Sequence, residues 1–195
     1  EVAKVIIEKG ITTVGDRAFQ DFASLKTAEL PEGITYIGTG AFERSAIESV
    51  TIPSTVTTMK NWVFHTTNLK EITIPSSVTS IGDAAFKNCS GLTSITIPSS
   101  VTHIIQAAFS GCSSLTHLEI PYGVEHVGWA AFCGSAIESI AFPESVTEIG
   151  ANAFENTVAE TIYIPEGCEK IEAGAFTGTN AAVIFIPRSV KSIGD

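Results

Sequence analysis

Four cysteines, four histidines and an excess of carboxylates are the groups in this 195-residue sequence that could do chemistry. Cys89 and Cys112 stand 23 residues apart, and so do His103 and His126. Paired thiols and imidazoles are the material of disulfides and transition-metal sites. Cys133 and Cys168 fall out of step with that spacing, so there is no paired disulfide framework. The four cysteines therefore read as free, mostly buried thiols. His103 and His126 would sit near each other in a chain that repeats at their spacing. Two stacked imidazoles without a carboxylate at the right place make a poor metal site, and no metal ligand is assigned. The sequence contains no Gly-x-Ser-x-Gly elbow, no phosphate-cradling Gly-rich loop and no His-Glu-x-x-His. Its carboxylates are spread along the chain rather than gathered. No catalytic residue and no cofactor is expected, and the chain does not read as an enzyme.

Charge narrows the partners. There are 21 acidic against 11 basic residues, a formal net charge of −10, and the basic residues are scattered. Such a surface repels nucleic acid and an anionic membrane. Protein partners fit better, host matrix or microbial surface proteins among them, and so do glycans. No apolar run approaches the ~18 residues of a membrane-spanning helix. Asn88-Cys89-Ser90 satisfies a glycosylation sequon but adjoins a core element.

The elements that must hold these groups emerge when the prolines are aligned. Leu30-Pro31, Ile52-Pro53, Ile74-Pro75, Ile97-Pro98, Ile120-Pro121, Phe142-Pro143, Ile164-Pro165 and Ile186-Pro187 recur every 22 or 23 residues. A phenylalanine keeps the same interval from Phe19 to Phe176, preceded by Ala except at Val63. Val5-x-Ile7 adds a ninth coil with Glu8 at the proline position. A fixed period of this length means a solenoid. Within a unit, Ile95-x-Ile97 alternates with period two and predicts a strand with one buried face. Pro98 cannot donate to a ladder and ends it. Val101 and Ile104 bring the chain back inward. Gly82 and its equivalents (Gly15, Gly38, Gly128, Gly150, Gly194) predict a tight or positive-φ corner. Asp83-Ala84-Ala85-Phe86 then predicts a short helical turn. Coils spaced at about 4.8 Å stack into a rod of about 40 Å.

The unit Leu-x-x-Ile-x-Ile-Pro-x-x-Val-x-x-Ile-Gly-x-x-Ala-Phe-x-x-Cys resembles the BspA-like class of leucine-rich repeats along the whole chain. The resemblance implies a right-handed solenoid with a parallel β-sheet on one face and short helical turns or loops on the others. It implies secreted or surface-anchored proteins of host-associated microbes, several of them adhesins, and no catalytic residues. Residues 1–195 form one such domain of eight to nine coils, expected to be part of a longer array whose uncapped coils would allow end-to-end association. Lys60, Ile105 and Glu172 replace the corner Gly, Cys168 the Val, and Ala159 and Ala181 the Leu, without breaking the register.

Outward positions of the strands should form columns. One column reads Ile6, Glu29, Thr51, Thr73, Thr96, Glu119, Ala141, Tyr163 and Phe185. Its neighbour reads Lys4, Thr27, Ser49, Glu71, Ser94, His117, Ser139, Thr161 and Val183. Hydroxyls fill the middle, and apolar and aromatic side chains the C-terminal end. Glu119, Tyr163, Phe185 and His117 are the candidate binding residues, since exposed aromatics on a rigid sheet anchor partners. The alternative is that Thr is simply a good strand residue and that the aromatics pack under further coils. The expected function is an extracellular protein-binding or adhesion module. A passive spacer projecting another domain from the cell surface is the second reading.

Overall fold

The computed structural model describes residues 2–194, and they wind into a stack of parallel coils. The first face of the coil carries β1 (Lys4–Ile6), β3 (Thr27–Glu29), β5 (Ser49–Thr51), β8 (Ser94–Thr96), β10 (His117–Glu119), β12 (Ile140–Ala141), β14 (Thr161–Tyr163) and β16 (Val183–Phe185). The next side carries β2 (Thr13–Val14), β4 (Tyr36–Ile37), β6 (Thr58–Met59), β7 (Ser80–Ile81), β9 (His103–Ile104), β11 (His126–Val127), β13 (Glu148–Ile149), β15 (Lys170–Ile171) and β17 (Ser192–Ile193). All pairings are parallel and link equivalent residues of successive coils, such as His117↔Ser94 and Tyr163↔Phe185. The coil at Glu71–Thr73 joins the first ladder only through the bridge Thr73↔Thr96.

The interior follows from the period. Aliphatic residues at the inward repeat positions of the inner coils are buried, and the repeat phenylalanines Phe42, Phe64, Phe86, Phe109, Phe132 and Phe154 have no exposed surface. Their rings form one continuous stack, with neighbouring centroids 5.2–5.9 Å apart from Phe19 to Phe176. Each coil supplies one ring to a core that no single coil could enclose.

Two sequence expectations are corrected. The segment before each phenylalanine is a turn, and no helix occurs among the described residues. The residues two before and two after each phenylalanine are left-handed, for example Ala84 (φ 51°) and Asn88 (φ 59°) around Phe86. That alternation aims every second N–H along the stack: Phe86 donates to Ala108 O at 2.9 Å and Asn88 to Ser110 O at 2.7 Å. A non-glycine left-handed residue costs about 1–2 kcal/mol. Inter-coil hydrogen bonds of about 1 kcal/mol each offset it, and a helical turn would forgo them.

The second correction concerns the corner glycines, for which the positive-φ alternative falls and the tight corner stands. Gly82 and Gly150 do not have positive φ. They are required because the preceding coil lies against them: a Cβ on Gly82 would stand 2.4 Å from Asn61 N and 2.4 Å from the Lys60 carbonyl carbon. The corner N–H donates back to that coil, as Gly82 does to Met59 O at 2.7 Å. At two of the three positions where glycine is missing, the second ladder loosens. At Ile105, β9 does not pair with β7, and at Lys60, β6 meets β4 through the single pair Ile37↔Met59. Glu172 keeps its bond to Ile149 O at 2.8 Å.

Candidate binding face

Strand alternation decides what the first face shows. In β10 the residues His117 and Glu119 are exposed and Leu118 is buried between them. In β14, Thr161 and Tyr163 flank buried Ile162. The register Glu119↔Ala141↔Tyr163↔Phe185 places three candidate residues in one column, and His117 lies in the adjoining column beside Glu119. The Tyr163 and Phe185 rings stack with centroids 4.6 Å apart and planes within 1°. Tyr163 is 61% exposed although coils flank it on both sides, so further coils are not needed to account for its environment. Val183, Ile184 and Phe185 of β16, the last strand of this ladder, are exposed, and so is Ile186 just after it.

The N-terminal half of the same face is a shallow groove of about 640 Å3, lined by Lys4, Glu29, Thr51, Glu71, Ser94 and Thr96 among others. The columns read from the sequence supply these lining residues, and the groove itself is seen in the structure. Lys4 pairs with Glu29 at 2.5 Å along its floor. Just before the strands, Glu48 bridges Lys26 and Lys70, with Lys70 at 2.7 Å. Hydrogen bonds from the two ammonium groups hold the Glu48 carboxyl at about 2.

Four further exposed aromatics lie outside the strand columns: Phe22, Trp62, Tyr122 and Trp129. Tyr122 follows Pro121 and Trp129 follows Gly128, at positions where other coils carry small or polar residues. That contrast between repeats was the available signal.

The cysteines are free, and Cys89, Cys112 and Cys168 are buried. Burial pushes the Cys89 thiol up to about 11 and raises Cys112 as well. Their repeat position is more than an apolar filler. Ser45, Thr67, Ser135 and Thr157 occupy it in other coils and donate to the phenylalanine carbonyls Phe42 O, Phe64 O, Phe132 O and Phe154 O. Cys89 and Cys112 donate to the same type of carbonyl one coil back, Phe64 O at 3.0 Å and Phe86 O at 3.2 Å. The position selects a small donor for a buried acceptor.

The histidine pair does stack, with centroids 4.7 Å apart, but the expectation that no carboxylate stands by it is wrong. Glu125 brings an oxygen into the group. Glu148 accepts from His126 Nδ1 at 3.2 Å.

A model of the BspA type leucine rich repeat region matches residues 1–116 and 79–195, with six copies in all. The chain belongs to the BspA-type leucine-rich repeat family. Among solved structures, it is similar to a leucine-rich repeat protein from Bacteroides ovatus, at 23% identity over 98% of this chain and 71% of that one, with a TM-score of 0.55. It is also similar to the pneumococcal vaccine antigen PcpA, at 20% identity over 97% of this chain and 62% of that one, with a TM-score of 0.68. The Treponema pallidum leucine-rich repeat protein matches at 22% identity over 68% of this chain and 76% of that one, with a TM-score of 0.50. A search of curated proteins found no match. At these identities the likeness is one of fold. BspA-type coils thus account for the period, the parallel ladders and the buried phenylalanine column. No helix among the described residues is long and apolar enough to cross a membrane.

Proposed function

We propose that this chain is an extracellular, non-enzymatic binding module that presents its first strand face to a protein on a host or microbial surface. The observation that carries the reading is the Tyr163–Phe185 pair: two aromatic rings, stacked at 4.6 Å and exposed on a sheet whose backbone is fixed by the ladder. Aromatic anchors of this kind lose little side-chain freedom on binding and concentrate interface energy. Glu119, in the same column, and His117 beside it supply a polar rim. Family membership supports a surface repeat protein, and the similarity to a pneumococcal vaccine antigen points the same way.

Capture of host matrix proteins from a defined panel by the wild-type chain and by a Tyr163→Ala/Phe185→Ala variant tests this reading. Reduced capture by the variant supports the aromatic end as contact surface, and unchanged capture overturns it. A passive spacer is the second reading, favoured by the run Thr51, Thr73 and Thr96, which repeats one residue type across three coils. Under that reading the wild-type chain captures nothing from the panel.

A further inference from the structure

A cluster of imidazole and carboxylate groups that the function above does not use lies on the second ladder, on the side of the coil next to the strand face. His103 in β9 and His126 in β11 are in register, and their rings stack at 4.7 Å with planes 17° apart. Glu125 completes the group: one donor atom from each of His103, Glu125 and His126 lies within 4.8 Å of the other two. We propose that His103, Glu125 and His126 bind a divalent transition-metal ion of the zinc or nickel type.

The donor set decides the class of ion. Two imidazole nitrogens and one carboxylate oxygen suit zinc, nickel or copper, while calcium and magnesium favour all-oxygen shells. The surroundings prepare the rings. The Glu148 carboxylate accepts from His126 Nδ1 at 3.2 Å, which fixes the proton there and leaves Nε2 as the free nitrogen. This is the carboxylate–histidine–metal arrangement that holds ring orientation. Lys170 holds the other Glu148 oxygen at 2.8 Å, so Glu148 is itself positioned. His103 Nδ1 meets Thr102 Oγ1 at 2.8 Å, and a hydroxyl accepts as readily as it donates, so the same tautomer is open to His103.

Geometry requires a small closure. Tetrahedral ligands at about 2.0–2.1 Å from zinc stand roughly 3.3 Å from one another. The three donors therefore need to draw in by at most about 1.5 Å, and the two rings to tilt toward each other. His103 and Glu125 are exposed and His126 is only half-buried, so these side chains can turn without moving the core. The site joins two adjacent coils, one of them bordering the break in the second ladder between β7 and β9.

The test is a zinc titration of the metal-stripped full chain by calorimetry, with nickel as a second probe and calcium as a control. The expected result is one zinc per chain, with affinity reduced at least tenfold in His103→Ala and in His126→Ala. Loss of the outer carboxylate in Glu148→Gln should weaken binding about 10–100-fold. His117→Ala, on the other face, should bind as the wild type does. Long-range nitrogen NMR then reads the ring atoms directly, and zinc should shift Nε2 of His103 and His126 but not of His65 or His117. Folding is not in question for these surface variants, and thermal melts without metal should superimpose. Absence of zinc binding up to millimolar concentration overturns the proposal. So does binding that survives in the His103→Ala/His126→Ala double variant, which would place the ion on a thiol such as Cys133.

Discussion

Replacing Gly82 with Ala probes the corner with a single methyl group. An added Cβ would stand 2.4 Å from Asn61 N, 2.4 Å from Lys60 C and 2.6 Å from Lys60 O, all backbone atoms of the preceding coil. Carbon atoms rest in contact at about 3.5–4.0 Å, so the two coils must part locally by roughly 1 Å. Overpacking of this kind costs about 1–3 kcal/mol. Parting also strains the 2.7 Å bond from Gly82 N–H to Met59 O, worth about 0.5–1.5 kcal/mol. The expected total is about 2–4 kcal/mol. Two controls separate spacing from backbone conformation. Gly15 has no atom within 4 Å of an added Cβ and no positive φ, so Gly15→Ala should fall within about 0.5 kcal/mol of wild type. Gly134 has equally open space but φ 69°, so Gly134→Ala should cost about 1–2 kcal/mol. Urea unfolding followed by circular dichroism measures all three, with midpoint and slope both reported because solenoids can unfold in parts. A Gly82→Ala variant as stable as Gly15→Ala would refute the close-approach explanation.

Other expectations follow from the core and the surface charges. Phe109→Ala removes a fully buried ring stacked at 5.3 Å on both Phe86 and Phe132, and should cost about 3–5 kcal/mol in the same unfolding experiment. Among the four thiols only Cys133 is partly exposed, so a thiol-specific reagent should label one cysteine in the native chain and four after unfolding. Glu48 is held at about 2, below its usual 4.5, by Lys26 and Lys70. A depressed folded-state pKa means that its contribution is present above about 4.5 and lost as the pH falls toward about 2. Unfolding midpoints measured from pH 6 to pH 2 should therefore drop less steeply in Glu48→Gln than in the wild type.

Much of the scaffold was legible because a solenoid translates sequence period directly into spatial register. Aligning Pro98 with Pro121 is enough to set His117 beside Ser94, and the ladder has that pairing. Burial of Ile95 and Ile97 and exposure of Thr96 follow from alternation. What escaped was decided between coils rather than within one. Asp83-Ala84-Ala85-Phe86 has the local composition of a helical turn, but hydrogen bonds along the stack select left-handed Ala84 instead. For Gly82 the sequence left a tight or a positive-φ corner open, and clearance decides, since the atom that excludes a side chain belongs to the previous coil. Cys89 looked like an apolar filler because its carbonyl partner, Phe64 O, is 25 residues away. Of the carboxylates around His126, Glu148 was legible, since register sets it beside His126 in the following coil, whereas the reach of Glu125 depends on side-chain placement. The candidate face divides along this line. Its residues are readable from the columns, whereas the extent of the groove over Thr51 and Thr96 is read only from the structure.

The central claim is that the first strand face carries the contact surface, and it is tested most directly by removing equal aromatic content from two faces. Affinity for a captured surface protein is measured by biolayer interferometry for Tyr163→Ala/Phe185→Ala and for Tyr122→Ala/Trp129→Ala. The second pair is just as exposed and lies off the strand columns. Loss of anchor residues typically costs about 2 kcal/mol or more, roughly thirty-fold in affinity. The account predicts that loss for the Tyr163/Phe185 variant and wild-type affinity for the Tyr122/Trp129 variant. The reverse pattern, or equal affinity in both, would contradict it.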